Sequence, residues 1–298
     1  MSQELARIGT AWGGGTPAAR PMPRFAARFF SYRPAFLATV LLCLIFAASV
    51  LAPLVVPYER DAIDLDSLLE GPSFSHAFGT DELGRDVLAR LVHGGRFTLI
   101  VASASVLIAM LLGILTGALA GYCGGAVDLL VSAVVDLFLS VPVFLVILIA
   151  ASLGGGRLWL IPLVIGGTSW MEMARVVRAS FLSLRGEGFV EAARSLGVGN
   201  VSIVFRHILP LAIPPVVIAA TVGFAQAMLI ESALSFLGFG VQPPIPTWGN
   251  MLYNAQLLIR RAPVAAFAPG LAIFVTSLCF NVVGHGLRRA LAREPISS

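Results

Sequence analysis

The 298-residue chain contains no lysine; all 20 of its basic side chains are arginine. That absence excludes a Schiff-base lysine and the phosphate-cradling lysine of a P-loop. The Gly13-Gly14-Gly15 run also lacks the strand–loop–helix setting that such a cradle needs. Charge of either sign is scarce, at 12% of residues against about 25% in soluble domains. Cysteine is scarce too: Cys43, Cys123 and Cys279 are far apart and form no C-x-x-C or Cys/His ligand spacing. They are expected as small buried hydrophobes, without a disulfide framework. The four histidines, His76, His93, His207 and His285, stand in no motif with Ser, Cys or a carboxylate. Nucleophilic catalysis therefore has no constellation here, and His76 with His93 is only a weak nickel or zinc pair.

What the chain has instead is apolar length. Hydrophobic residues make up 57% of it, and the mean hydropathy is +0.89. The bilayer is the expected solvent, and a membrane helix needs about 20 mostly apolar residues. Six runs qualify: Ala35 to Pro57, Phe97 to Gly121, Ala126 to Ser152, Leu158 to Ala174, Leu209 to about Phe239, and Pro263 to about Leu287. The expected fold class is an all-α membrane protein of six transmembrane helices. Residues 1–33, rich in Gly, Pro and Ala, read as a disordered tail. Residues 34–96 hold the first span and a long external loop, residues 97–287 hold five spans, and residues 288–298 form a second tail. The first apolar run begins late and exceeds the roughly 7–15 residues of a signal-peptide core, so it reads as an uncleaved span. Arginine bias orients the chain. With the N-terminus cytoplasmic, thirteen arginines fall inside and seven outside, so both termini are expected in the cytoplasm.

The external loop, Tyr58 to about Arg96, carries eight acids. Its second half, "GTDELGRDVLARLVHGG", has the pattern of a surface helix capped by Thr80. Asp81–Arg85 and Asp86–Arg90 are i,i+4 pairs, and Val87, Leu88, Leu91 and Val92 form an apolar stripe. Such a helix either lies on the outer membrane face or docks an external partner. Acids inside spans are functional candidates because charge there is expensive. Asp136 either pairs between packed helices or lines a translocation path. Glu172 and Glu231 sit near span ends, where packing or interfacial roles are stronger.

Between spans four and five, about residues 176–208, the chain turns polar. Within it "EAARSLGVGNVSIVFRHILP" runs from Glu191 to Pro210. Phe189, Val190, Ala193 and Leu196 fall on one side of a helix, and Glu191 and Arg194 fall away from it. Gly197 is a natural helix stop, Gly199 extends the break, and Asn200 suits the N-cap of a second helix through Ile203 and His207. A helix–turn–helix at the cytoplasmic face fits docking into a groove of a soluble partner, or a self-packed connector between two spans.

This stretch resembles the EAA loop of the inner-membrane permeases of ABC importers. Glu191, Ala192, Ala193, Gly197, Leu209 and Pro210 match its motif, and His207 departs from its Ile position. The "FRHILP" variant is similar to the dipeptide, oligopeptide and nickel branch. So are "FGTDELGRDVLARLVHGGR", "VVDLFLSVPVFLVILIA" and "ESALSFLGFGVQPPIPTWGNML", which extend the resemblance from Arg33 to Arg289. It implies a type I importer permease in the bacterial inner membrane. That permease pairs with a sister permease, two ATP-binding subunits and an extracytoplasmic substrate-binding protein. ATP and magnesium are expected on the partner subunits and no cofactor on this chain; no nucleic acid is implicated. Glu191, Ala192, Ala193 and Gly197 would dock the ATP-binding subunit, followed by Leu209 and Pro210 at the membrane entry. Asp136 and Glu231 are the candidates for the pathway or for helix packing. Peptides are the expected substrate class, with nickel complexes, glutathione or other small solutes as alternatives. An ion-coupled secondary carrier is the rival, resting on the intramembrane acids, although no inverted repeat supports it.

Overall fold

The computed structural model describes residues 22–153 and 157–291; their regular structure is helical, with one isolated bridge between Thr80 and Asp86 and a long irregular segment between residues 56 and 86. The expected disordered tail is corrected in part. Residues 1–21 lie outside the described residues, as does the tail from 292, but Met22–Ser31 is a helix, α1. Its anchor is local: Phe29 is buried against Ala35 and Ala290, and the Arg289 guanidinium lies 5.2 Å from the Tyr32 ring centre. α2 (Arg33–Val50) and the short α3 (Ala52–Val55) follow, each with a proline in its first turn, where no amide hydrogen bond is lost.

The surface helix expected from Thr80 is not a separate element. α4 runs unbroken from Val87 to Cys123, and its cap is Asp86, whose carboxylate accepts from the Ala89 amide at 2.6 Å. Residues before it form a tight knot instead. Asp81 accepts from the amides of Leu83 and Arg85 and from the Arg85 side chain at 2.7 Å, so it acts as the centre of a turn. The Asp81–Arg85 pair therefore forms, but Asp86 pairs with His76 at 2.9 Å, and Arg90 approaches Asp81 at 3.5 Å. A carboxylate that bonds turn amides stops the helix from extending backwards.

At 37 residues, α4 is about 55 Å long, well beyond the ~30 Å hydrocarbon core. Its Leu107, Leu111, Leu115 and Leu119 are exposed at i,i+4 spacing, a face made for lipid or another membrane helix. On another face Gly113, Gly117 and Gly121 lie against α7 (Leu160–Leu184). A Cβ at Gly117 would stand 2.5 Å from the Ala174 carbonyl oxygen and 2.8 Å from Val177. Small residues in that row let the two backbones approach closely, as membrane helices without a hydrophobic driving force require.

The third expected span is broken. α5 (Gly125–Leu139) and α6 (Val143–Leu153) meet at 76°. Pro142 is the cause: it lacks an amide donor and pushes Val141 out of helical geometry. The fourth span reaches Leu184, ten residues further than expected, and runs into the polar loop that follows it. α8 (Gly188–Ser195), α9 (Asn200–Ser202), a π-helical turn (Ile203–Ile208) and α10 (Leu209–Phe236) follow, then α11 (Trp248–Ala255) and α12 (Pro263–Leu291). Among the described residues five helices are long and apolar enough to cross a membrane, or six spans if the bent pair crosses as one. Cys43 and Cys123 are exposed and only Cys279 is buried; in a chain whose outer faces meet lipid, an apolar setting does not imply protein contact.

The start of α4, the end of α10 and the start of α11 are tied by polar bonds. Thr247 and Asn250 form a reciprocal capping box at the start of α11. The Trp248 amide donates to the Thr98 hydroxyl at 3.1 Å, and its indole N–H donates to the Leu91 carbonyl at 2.9 Å. Glu231 is wholly buried in this knot, with hydroxyls of Ser235 (2.8 Å), Ser232 (3.4 Å), Thr98 and Thr247 around it. Thr98 and Thr247 each accept a backbone amide, so their own protons are free to point at the carboxylate.

Candidate functional site

The loop between α7 and α10 is built around the end of α4. Arg185, which closes α7, bonds through Nη1 to the Gly121 carbonyl at 3.3 Å and the Tyr122 carbonyl at 3.5 Å, filling acceptors that a helix end leaves free. The Tyr122 hydroxyl donates to Asn200 Oδ1 at 2.7 Å, and the Arg194 guanidinium lies 5.7 Å from the Tyr122 ring centre. The loop thus wraps a single aromatic post.

Within it, α8 buries Val190 and Ala193 against Val177, Phe181, Ile203 and Ile208. Glu191, Ala192 and Arg194 face outward. Phe189 and Leu196 were expected on the buried side, yet Leu196 is 83% exposed and Phe189 39%. At 100° per residue both fall at the edge of the Val190–Ala193 face, too far round to reach the core. The helix closes in a Schellman motif: the Gly197 amide donates to the Arg194 carbonyl at 2.9 Å and the Val198 amide to the Ala193 carbonyl at 3.0 Å. Gly197 has φ +78°, the left-handed turn expected from its position. Gly199, not Asn200, caps the next helix; Asn200 is its first residue, and its side chain is committed to Tyr122.

Leu209 and Pro210 open α10 directly after the π-helical turn. Pro210 has no amide to give the Arg206 carbonyl, and its ring crowds that carbonyl in an α-helix. The Leu209 amide instead reaches back five residues to Val204, which widens the turn. The missing donor at Pro210 was a legible signal for this irregularity, as the conjunction of Tyr122 with Asn200 was not.

The other named acids do not join the loop. Asp136 of α5 pairs with Arg175 of α7 at 2.6 Å, both more than half exposed. One helical turn toward the loop on α7, Arg178 holds Asp128 through both carboxylate oxygens. A groove of about 370 Å³ lies between α4, α7, α10 and α12, lined mainly by apolar side chains, with Ser105, Ser169, Glu172, Gln226 and Arg288 among them. Ser105, Ser169 and Gln226 carry no sequence signal beyond being single polar residues in apolar runs.

Residues 113–295 match the family model of binding-protein-dependent transport system inner membrane components. The chain belongs to that permease family. It is a non-catalytic permease subunit of an ABC importer, an inner-membrane component that works with ATPase and substrate-binding partners. The permease is 40% identical over 91% of its length, and 90% of the relative's, to a protein of Brucella suis biovar 1 provisionally named a peptide permease. It is 37% identical, over the same shares, to the glutathione transport system permease protein GsiD of Pectobacterium atrosepticum. Its fold is that of a chain in the inward-facing MetNI methionine ABC transporter: TM-score 0.54 at 22% identity, covering 68% of this permease and 97% of that chain.

Proposed function

We propose that this permease forms a peptide-conducting pathway with a sister permease and is driven through its Glu191–Pro210 loop by separate ATP-binding subunits. The observation that carries the reading is the surface of α8. A short rigid helix presents Glu191, Ala192 and the exposed Leu196 outward, and the Gly197 turn fixes its angle. An exposed leucine beside a small alanine is the knob-and-flat surface that helix-in-groove docking uses. Leu209 and Pro210 carry the motion of the loop into α10. ATP and magnesium belong to the partner subunits; this chain has no lysine for a phosphate cradle. Closure of the ATP-binding subunits draws the loops together and turns the pathway outward, where the binding protein delivers substrate; hydrolysis resets it. Both termini lie in the cytoplasm, as the arginine bias favours.

The peptide reading rests on the Brucella relative's name, and the GsiD relative makes glutathione, itself a small peptide, the second reading. The test is a tagged purification from native membranes in mild detergent, with mass spectrometry of the complex. A second permease and two ATP-binding subunits are expected, and the captured binding protein, loaded with dipeptide or glutathione in turn, decides between substrates by its affinity. Recovery of this chain alone, from a preparation that transports without ATP, would overturn the reading.

A further inference from the structure

Four acids lie within the spans among the described residues, and three have partners. Asp128 is held by Arg178, Asp136 by Arg175, and Glu231 by its hydroxyls. Glu172 has neither an ion pair nor a hydrogen bond among the described residues, and it is exposed to the groove. Its depth follows from packing. Ala109, midpoint of the Phe97–Gly121 run, lines the same groove. Met173, next to Glu172, packs on Gly113, four residues or about 6 Å along α4 from Ala109. Glu172 therefore lies within about 10 Å of the bilayer centre, inside the ~30 Å hydrocarbon core, and not near a span end as expected, because α7 continues past it to Leu184.

An acid at that depth is expensive unless it faces water or a cation. The arginines one and two turns away, Arg175 and Arg178, are engaged elsewhere, and Arg288, at the end of α12, shares the groove without pairing. We propose that Glu172 is a cation-receiving site of the translocation groove that takes the ammonium group of passing substrate, an inference that rests on the importer reading above. An ammonium offers three donors. Glu172 accepts one, and the Ser105 and Ser169 hydroxyls and the Gln226 carbonyl, in the same groove, supply acceptors for the others. Arg288 provides the matching charge for a carboxylate leaving toward the cytoplasm. The groove thus selects zwitterions with a free amine.

The test uses a cysteine-free form of the full transporter in membrane vesicles of both orientations, with Ser169→Cys as reporter. The rates of modification by a trimethylammonium-ethyl and by a sulfonatoethyl methanethiosulfonate are compared. One carboxylate a few ångströms from the thiol is expected to favour the cationic reagent about tenfold over the anionic one, and Glu172→Gln to abolish that preference. Without the reporter cysteine, Glu172→Gln is expected to lower ATP-driven dipeptide uptake about tenfold at saturating loaded binding protein, with stimulated ATP hydrolysis retained and Glu172→Asp restoring most of the uptake. A charge preference unaltered by Glu172→Gln overturns the proposal. So does a lost preference with uptake unchanged, which leaves a water-facing carboxylate that meets no substrate. A wild-type transporter that imports no peptide refutes the peptide reading instead, and the thiol rates alone then decide whether Glu172 receives cations.

Discussion

Replacing Gly197 isolates the contribution of one backbone angle to coupling. At φ +78° a side chain is strained, yet a Cβ there would meet no atom within 4 Å, so the penalty is conformational and not steric. The left-handed region costs an L-residue about 1–2 kcal/mol, with Asn the best tolerated. A shift of that size changes the ratio of this turn to its alternatives by about 5–30-fold. The series Gly197→Asn, Gly197→Ala, Gly197→Val should therefore lower ATP-driven uptake in that order, while membrane insertion and assembly persist. Uptake and ATP hydrolysis would be measured together in proteoliposomes holding the complete transporter. The expected signature is uncoupling: hydrolysis falls less than uptake, because the ATP-binding subunits still close on a misaligned helix. If Gly197→Val transports like the wild type, the Schellman turn does not set the docking angle and the coupling assignment fails.

Other substitutions separate packing from transport. Gly117→Ala should destabilise the permease by about 1–3 kcal/mol, because the Ala174 carbonyl and Val177 leave no room; Gly167→Ala, with no atom within 4 Å, should not, and thermal midpoints in detergent compare them. Glu231→Ala strips the acceptor from several buried hydroxyls and should cost about 3 kcal/mol, with Glu231→Gln costing less because it keeps one acceptor oxygen; equal midpoints for the two would refute the knot. Asp136→Asn breaks only the half-exposed pair with Arg175, so uptake should stay ATP-dependent and insensitive to a protonophore; loss of pH-driven uptake would revive the carrier reading.

The spans were legible in the sequence because apolar length is a property of local composition, and Gly197 was legible because one residue type serves that backbone angle. The helix start at Asp86 was not. Thr80 and Asp86 are both good caps, and the choice fell to Asp81, which spends its carboxylate on the turn amides of Leu83 and Arg85. The break at Pro142 could have been read from the proline alone, since a missing donor inside an apolar run carries the same meaning as at Pro210. The cage around Glu231 could not, because Thr98 and Thr247 are separated from it by 133 and 16 residues and only the fold brings them together. That cage also explains why two of the motif segments occur together. Trp248 of one donates to Leu91 of the other, so they form one physical unit.

The unbroken course from Asn200 to Phe236 would give the loop a mechanical advantage in the proposed coupling. With the far end held at Glu231, the segment is a lever pivoted about 46 Å from Asn200. A loop displacement of one helical turn, about 5.4 Å, becomes roughly 3 Å at Pro215 and under about 1 Å at Gln226. The groove would open as a wedge, widest at its mouth toward the loop and nearly still where Gln226 sits. The π-helical turn and the Pro214–Pro215 pair lie on the long arm, where bending attenuates the stroke before it reaches the groove. Stiffness at those few residues, more than at the pivot, would set how much of each ATP-driven stroke reaches the substrate.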